Sequence, residues 1–213
     1  MVLINGVPGI QTVADGASGN ARMDHQGALV VQEAAPILTE AVYRGIVFSA
    51  SVPPGTGVVA TTAIAATGAM FTLANPATSG KNLVLWEFNY GFVSGTMSSG
   101  TIFLLAHNTA TPIVAPANGT AITPQNQLLA FGTASVANCR FNNTVPATGL
   151  VLRNLWNIGI QIPATASFAA SATYPINGGI LVAPGTAVSV QAISAAVTTG
   201  LCVVGAVWIE EPV

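Results

Sequence analysis

The run KNLVLWEFNYGFV, from Lys81 to Val93, constrains the fold of this chain most. Its large apolar residues fall at every second position, the spacing of a strand whose side chains alternate between two faces. Unbroken alternation puts Val84, Trp86, Phe88, Tyr90 and Phe92 on one face and Leu83, Leu85, Glu87 and Asn89 on the other. A helix would scatter the same residues around its cylinder, because its period is about 3.6 rather than 2. The segment is a strand.

Weaker versions of the pattern recur at 45–52, 57–65, 69–73, 101–107, 128–137, 150–153, 158–162, 168–174, 179–182, 186–192 and 200–209. Turn residues separate them: Pro53-Pro54-Gly55, Asn75-Pro76, Pro116, Asn142-Asn143, Asn177-Gly178-Gly179 and Pro184-Gly185. Many short Val-, Ile- and Thr-rich strands with almost no helix predict an all-β fold, a β-sandwich. The spacing fits an eight-stranded jelly roll with extra strands, and no internal repeat points to a solenoid or propeller. The last strand, LCVVGAVWI from Leu201 to Ile209, is apolar on both alternating faces, so both are expected to be covered.

The first 44 residues read differently. Gly, Asn and Asp run through them without a sustained period, which predicts an extended N-terminal arm over 1–44 ahead of a sandwich body over 45–213. One short strand is expected at 28–32, then a turn or two of helix with Thr39 as N-cap and Gly45 as stop. Charge divides in the same place. The chain has 5 Lys+Arg and 7 Asp+Glu in 213 residues. Asp15, Arg22, Asp24, Glu33, Glu40 and Arg44 are half of these. Between Gly45 and Ile209 stand only Lys81, Glu87, Arg140 and Arg153.

Such scarcity excludes several functions. Five scattered cations form no patch for phosphates, so no nucleic-acid partner is expected. With 51% hydrophobic residues the chain is not disordered. The uncharged stretches 45–80 and 154–209 are long, but Pro, Gly, Thr, Ser and Asn interrupt them, and 35 of the apolar residues are Ala. That is poor material for a spanning helix, although a membrane barrel gives a weaker signal per strand. The first cation is Arg22, so no secretory signal is read. A surface carrying about one charge per 750 Å² is unusually neutral for a free monomer. A soluble, non-exported subunit that buries part of its outside against other copies is the expectation.

No catalytic constellation emerges, and no enzyme, cofactor or metal is expected. The sequence NPATSGKN from Asn75 to Asn82 resembles a phosphate loop but lacks the leading Gly and the Ser or Thr after Lys81, and a strand follows it. It reads as an inter-strand turn. His25 and His107 stand apart in no metal-binding spacing, Glu210 and Glu211 point to opposite faces of a strand, and Ser189 and Ser194 lie in no nucleophile elbow. Cys139 and Cys202 read as buried thiols. The row Trp86, Phe88, Tyr90 and Phe92, with Val207 and Trp208, is expected to form core or subunit interface. A sugar-stacking platform would need acids and amides on the same face, and alternation puts Glu87 and Asn89 on the other.

Three segments carry a resemblance: ARMDHQGALVVQEAAPILTEAVYRGIVF in the arm, NPATSGKNLVLWEFNYGF, and the closing GGILVAPGTAVSVQA with TTGLCVVGAVWIEE. In pattern they resemble the jelly-roll capsid decoration (cement) proteins of tailed bacteriophages. The resemblance implies a virion structural protein, made in the host cytoplasm. It would form a homotrimer on the capsid surface, bind the major capsid protein and stabilise the head, touching neither nucleic acid nor membrane. The arm would then supply the capsid contacts, with Arg22, Asp24, Glu33, Glu40 and Arg44 as candidates. The alternative is a phage fibre-head or tail accessory protein that binds host-surface glycans.

Overall fold

The computed structural model describes residues 38–64, 67–95, 100–108, 118–129, 133–145, 149–158, 171–194 and 200–213. The chain parts into two units at Glu40 and Ala41, and the second, Ala41–Val213, holds every described strand. Arg22, Asp24, Glu33 and the strand expected at 28–32 lie outside the described residues.

Helix α1, Thr39–Tyr43, ends as its sequence dictates. Gly45 takes a left-handed φ of 66°, the conformation in which a side chain costs most. Its N–H donates to the Val42 carbonyl at 2.8 Å and the Ile46 N–H to the Ala41 carbonyl at 3.2 Å, which closes the helix. Thr39, expected just outside as the cap, is the first helical residue.

The strands are β1 (Val47–Ser51), β2 (Val58–Val59), β3 (Phe71–Ala74), β4 (Lys81–Ser94), β5 (Gly100–His107), β6 (Thr120–Ile122), β7 (Gln125–Asn126), β8 (Asn138–Phe141), β9 (Leu150–Ile158), β10 (Ser171–Pro175), β11 (Leu181–Val182), β12 (Ala187–Ser194) and β13 (Leu201–Pro212). They form two antiparallel sheets packed face to face, an all-β sandwich. The first sheet runs β10-β4-β13-β1-β7, with β11 also on β4 and β2 on β13. The second runs β6-β8-β3-β12-β5-β9. Early and late strands interleave. Taking β1, β3, β4, β5, β9, β10 with β11, β12 and β13 as first to eighth, one sheet reads sixth-third-eighth-first and the other second-seventh-fourth-fifth. Of the remaining four, β6, β7 and β8 extend the sheets beyond β1 and β3, and β2 lies on β13.

The core lies between the sheets. Phe48, Leu83, Leu85, Phe88, Val204 and Trp208 from the first meet Phe71, Leu73, Ile102, Leu104, Val188 and Val190 from the second. Phe48 and Trp208 stack with ring centroids 6.3 Å apart. On the side where β9 and β10 form the sheet edges, Trp156 closes the gap, tilted on Tyr90 at 5.6 Å and edge-on to Tyr174 at 5.9 Å.

Strand β4 departs from simple alternation, and the departure matters for the surface. Trp208 pairs with Leu85 and Val207 with Glu87, so Trp86 has no opposite number on β13. This is a β-bulge, two residues facing one, and it shifts the phase of everything beyond it. Leu83 and Leu85 point into the core before it, Phe88 and Tyr90 after it. The expectation that Val84, Trp86, Phe88, Tyr90 and Phe92 share a face is therefore wrong. The facing chain matches the bulge with a turn: Asn177 and Gly178 take positive φ (51° and 76°), and the N–H groups of Ile176 and Asn177 both donate to the Trp86 carbonyl.

Other boundaries move too. The strand expected at 128–137 is absent from the described part of that stretch, its neighbours being the short β7 and β8. Asn126 ends β7 by donating to the Gly45 carbonyl at 2.7 Å while its Oδ1 accepts from the Leu128 N–H at 2.8 Å. Further on, Ser135 Oγ and the Val136 N–H both donate to Glu210 Oε1, which holds this segment out of any ladder. In the described part of the stretch 57–65 only β2 is a strand, followed by an isolated bridge from Thr61 to Ile193. The stretches 150–153 and 158–162 are not two strands in their described part, since β9 runs from Leu150 to Ile158.

Candidate functional site: the outer face of the first sheet and the open edge

The residues expected at core or interface separate by face. Phe88, Tyr90 and Trp208 are buried core, and Phe92 packs against them. Trp86 and Val207 are half-buried on the opposite, outer face. Within β13 the inward row, Cys202, Val204, Ala206, Trp208 and Glu210, is buried. The outward row, Leu201, Val203, Val207 and Ile209, is only half-covered.

The bulge gathers on that outer face what alternation had kept apart. Glu87, opposite outward-facing Val207, joins Trp86, and Asn89 follows one residue beyond Phe88. Thr173 on β10 pairs with Asn89 and donates from Oγ1 to Asn89 Oδ1 at 2.8 Å. Asn89 Nδ2 in turn donates to Glu87 Oε1 at 3.2 Å. Gly91 and Gly205 flank Asn89 along and across the strands, with the Val203 and Ser51 side chains close over them. The sequence contained all these residues; only the one-residue insertion that brings them together was invisible in it.

A second feature lies at the open edge of the sandwich. Leu150, Val151 and Leu152 on β9 are 76%, 48% and 45% exposed, and Leu181 on β11 is 54% exposed. Leu152, Ile180 and Leu181 line a cleft of about 400 Å³ whose inner wall includes Ala106, His107 and Val188. Edge strands in soluble proteins usually carry charges that discourage pairing. Here Arg153 is the single charged residue of β9.

The charges of the body serve the fold. Lys81 Nζ meets Glu210 Oε2 at 2.9 Å, and Glu210 is 1% exposed. With Ser135 Oγ and the Val136 N–H on its other oxygen, this carboxylate is well supplied with donors, as a buried charge must be. Glu211, one residue on, is exposed, so the pair does point to opposite faces. Arg140 Nη1 donates to the carbonyls of Asn118 and Gly119 at 2.9 and 3.2 Å and pins a turn. The turn before β4 is also as read: Asn75 Nδ2 donates to the Lys81 and Val182 carbonyls at 2.7 and 2.8 Å.

One pairing escaped the sequence. His107 Nε2 and Ser189 Oγ lie 2.7 Å apart, both buried, because His107 pairs with Ala187 on the neighbouring strand and Ser189 is its diagonal neighbour. A Ser hydroxyl on an imidazole is the opening arrangement of nucleophilic catalysis, but Ser189 is 0% exposed and meets no solute. The pair ties β5 to β12. Cys139 and Cys202 are free, buried thiols. Among the described residues no group of three or more His, Cys, Asp or Glu is placed to hold a metal ion, and no helix is long and apolar enough to cross a membrane. Of the residues expected to contact a capsid, Glu40 and Arg44 are described, four apart at α1 and exposed.

No family model, curated protein or solved structure matches this chain.

Proposed function

We propose that this chain is a virion structural protein: a capsid decoration subunit with a jelly-roll body that assembles as a homotrimer on a phage head and reinforces the shell by binding the major capsid protein. The interleaved strand order supports the jelly roll, since that architecture joins two Greek keys so that the last strand returns beside the first. One observation carries the structural role. The exposed row of Leu150, Val151 and Leu152 shares the open edge with Leu181 around an apolar cleft, and nothing charged but Arg153 stands on β9 to keep another copy away. Monomers rarely leave such a patch bare. The composition agrees: Lys81 and Arg140 are tied to groups of the fold itself, leaving a sparsely charged body surface suited to contact rather than to isolation.

In this reading the contact to the shell runs through the charged N-terminal region, with Arg22, Asp24, Glu33, Glu40 and Arg44 as its polar anchors. Co-sedimentation with empty, undecorated phage capsids tests it. The full chain pellets with the shells and a chain lacking residues 1–24 stays in the supernatant. A full chain that fails to pellet with any capsid contradicts the decoration role, and a truncated chain that pellets equally well contradicts the role of the arm.

A further inference from the structure

The geometry of the outer face points to a site that the structural role does not use: we propose that Trp86, Glu87 and Asn89 bind a neutral saccharide through two adjacent hydroxyls. The inference is independent of whether the chain decorates a capsid.

The donor–acceptor pair is already set. Thr173 Oγ1 donates to Asn89 Oδ1, which fixes the carboxamide with its nitrogen toward Glu87. One amide hydrogen then goes to Glu87 Oε1. The second amide hydrogen and Glu87 Oε2 have no partner among the described residues. A free N–H beside a free carboxylate oxygen complements a vicinal diol, in which one hydroxyl accepts and its neighbour donates. Because Thr173 holds the amide before any ligand arrives, little ordering remains to oppose binding.

Trp86 supplies the apolar surface. It is half-buried, lies outside the core cluster, and its backbone is anchored by two hydrogen bonds from Ile176 and Asn177 at 2.7 and 2.8 Å. An indole on this outer face presents a broad surface on which the C–H side of a sugar ring packs. Across from Asn89 stands Gly205, and two residues along stands Gly91, with the Ser51 and Val203 side chains packed over them. Both positions are closed to larger residues: a Cβ at Gly205 would stand 3.1 Å from Ser51 Cβ, and one at Gly91 3.0 Å from Val203 Cγ2. Charge selects the class of sugar. Lys81, the cation of β4, is tied to Glu210, and a lone carboxylate at the centre of the site repels acidic sugars and phosphates.

Ligand-observed NMR and tryptophan-fluorescence titration of the full chain test this with a panel of glucose, galactose, mannose, rhamnose, N-acetylglucosamine and their disaccharides. At least one neutral member gives a saturable signal that quenches or shifts the indole emission. Asn89→Ala and Glu87→Gln each weaken it about tenfold, the size of one hydrogen bond to a charged group. Trp86→Ala abolishes it, and Trp86→Phe, which keeps a ring on the bulge and melts like the parent, retains part of it. Absence of saturable binding across the panel overturns the proposal. So does binding that survives both Trp86→Ala and Asn89→Ala.

Discussion

In the core, the Tyr90 hydroxyl and the Cys202 sulfur lie 3.2 Å apart between the sheets. Burial pushes the Cys202 thiol up to about 11, with the hydrogen bond from Tyr90 pulling the other way. Tyr90 is raised by burial and by Cys202, and Cys139 by burial and the Glu210 charge, both well beyond their ordinary values. The consequence for stability has a definite sign. In the unfolded chain a thiol releases its proton near 9.0, whereas in the fold it keeps it to higher pH. Above that point the folded state binds more protons than the unfolded one, so stability falls as pH rises. Urea midpoints should be level up to about pH 9 and decline from there toward pH 11, with both thiols unreactive to a thiol reagent in the native state at pH 8. A flat profile to pH 11 or rapid native labelling contradicts this. The thiols were legible in the sequence as buried. That Glu210 would turn inward was half-legible, because adjacent strand residues oppose one another. Its partners were not, since Lys81 lies 129 residues away and Ser135 lies 75 away.

A strand shows its existence in sequence more clearly than its phase. The alternation of 81–93 located β4 almost to the residue, yet one unpaired residue reversed the facing of half of it. The bulge left no local signature, because Trp86 suits a strand as well as Phe88 does. Its cause sits far along the chain, at the Asn177–Gly178 turn, where the Ile176 and Asn177 amides donate to the Trp86 carbonyl. The same holds for 128–137, whose residues favour a strand but are drawn away by Asn126 and Glu210. Two single-residue deletions separate phase from composition. Removing Trp86 leaves Leu83, Leu85, Phe88 and Tyr90 in register and loses chiefly two backbone hydrogen bonds. It should fold with a loss of about 1–3 kcal/mol. Removing Asn89 makes Phe88 and Tyr90 neighbours on opposite faces and should abolish the cooperative thermal transition. Equal effects of the two deletions, followed by circular dichroism, contradict the bulge.

At the scale of the whole molecule, the all-β sandwich was legible because period-2 runs and turn residues repeat along the chain. The site was not, because its residues meet only through register. Scarcity of charge also gains a narrower meaning. The body has few charges, and Lys81, Arg140 and Glu210 are engaged within it, so Arg153 is the single charge on β9 where that strand and β11 leave Leu150, Leu152 and Leu181 bare. If that edge is a subunit contact, the chain is an assembly and its mass shows it. Light scattering of the full chain at micromolar concentration should give three times the 21.4 kDa of one subunit. The double substitution Leu152→Glu with Leu181→Glu, on residues already solvent-exposed in the single chain, should return it to one subunit with its β-rich circular dichroism unchanged. A full chain that runs as a monomer, or an assembly indifferent to both glutamates, contradicts the account.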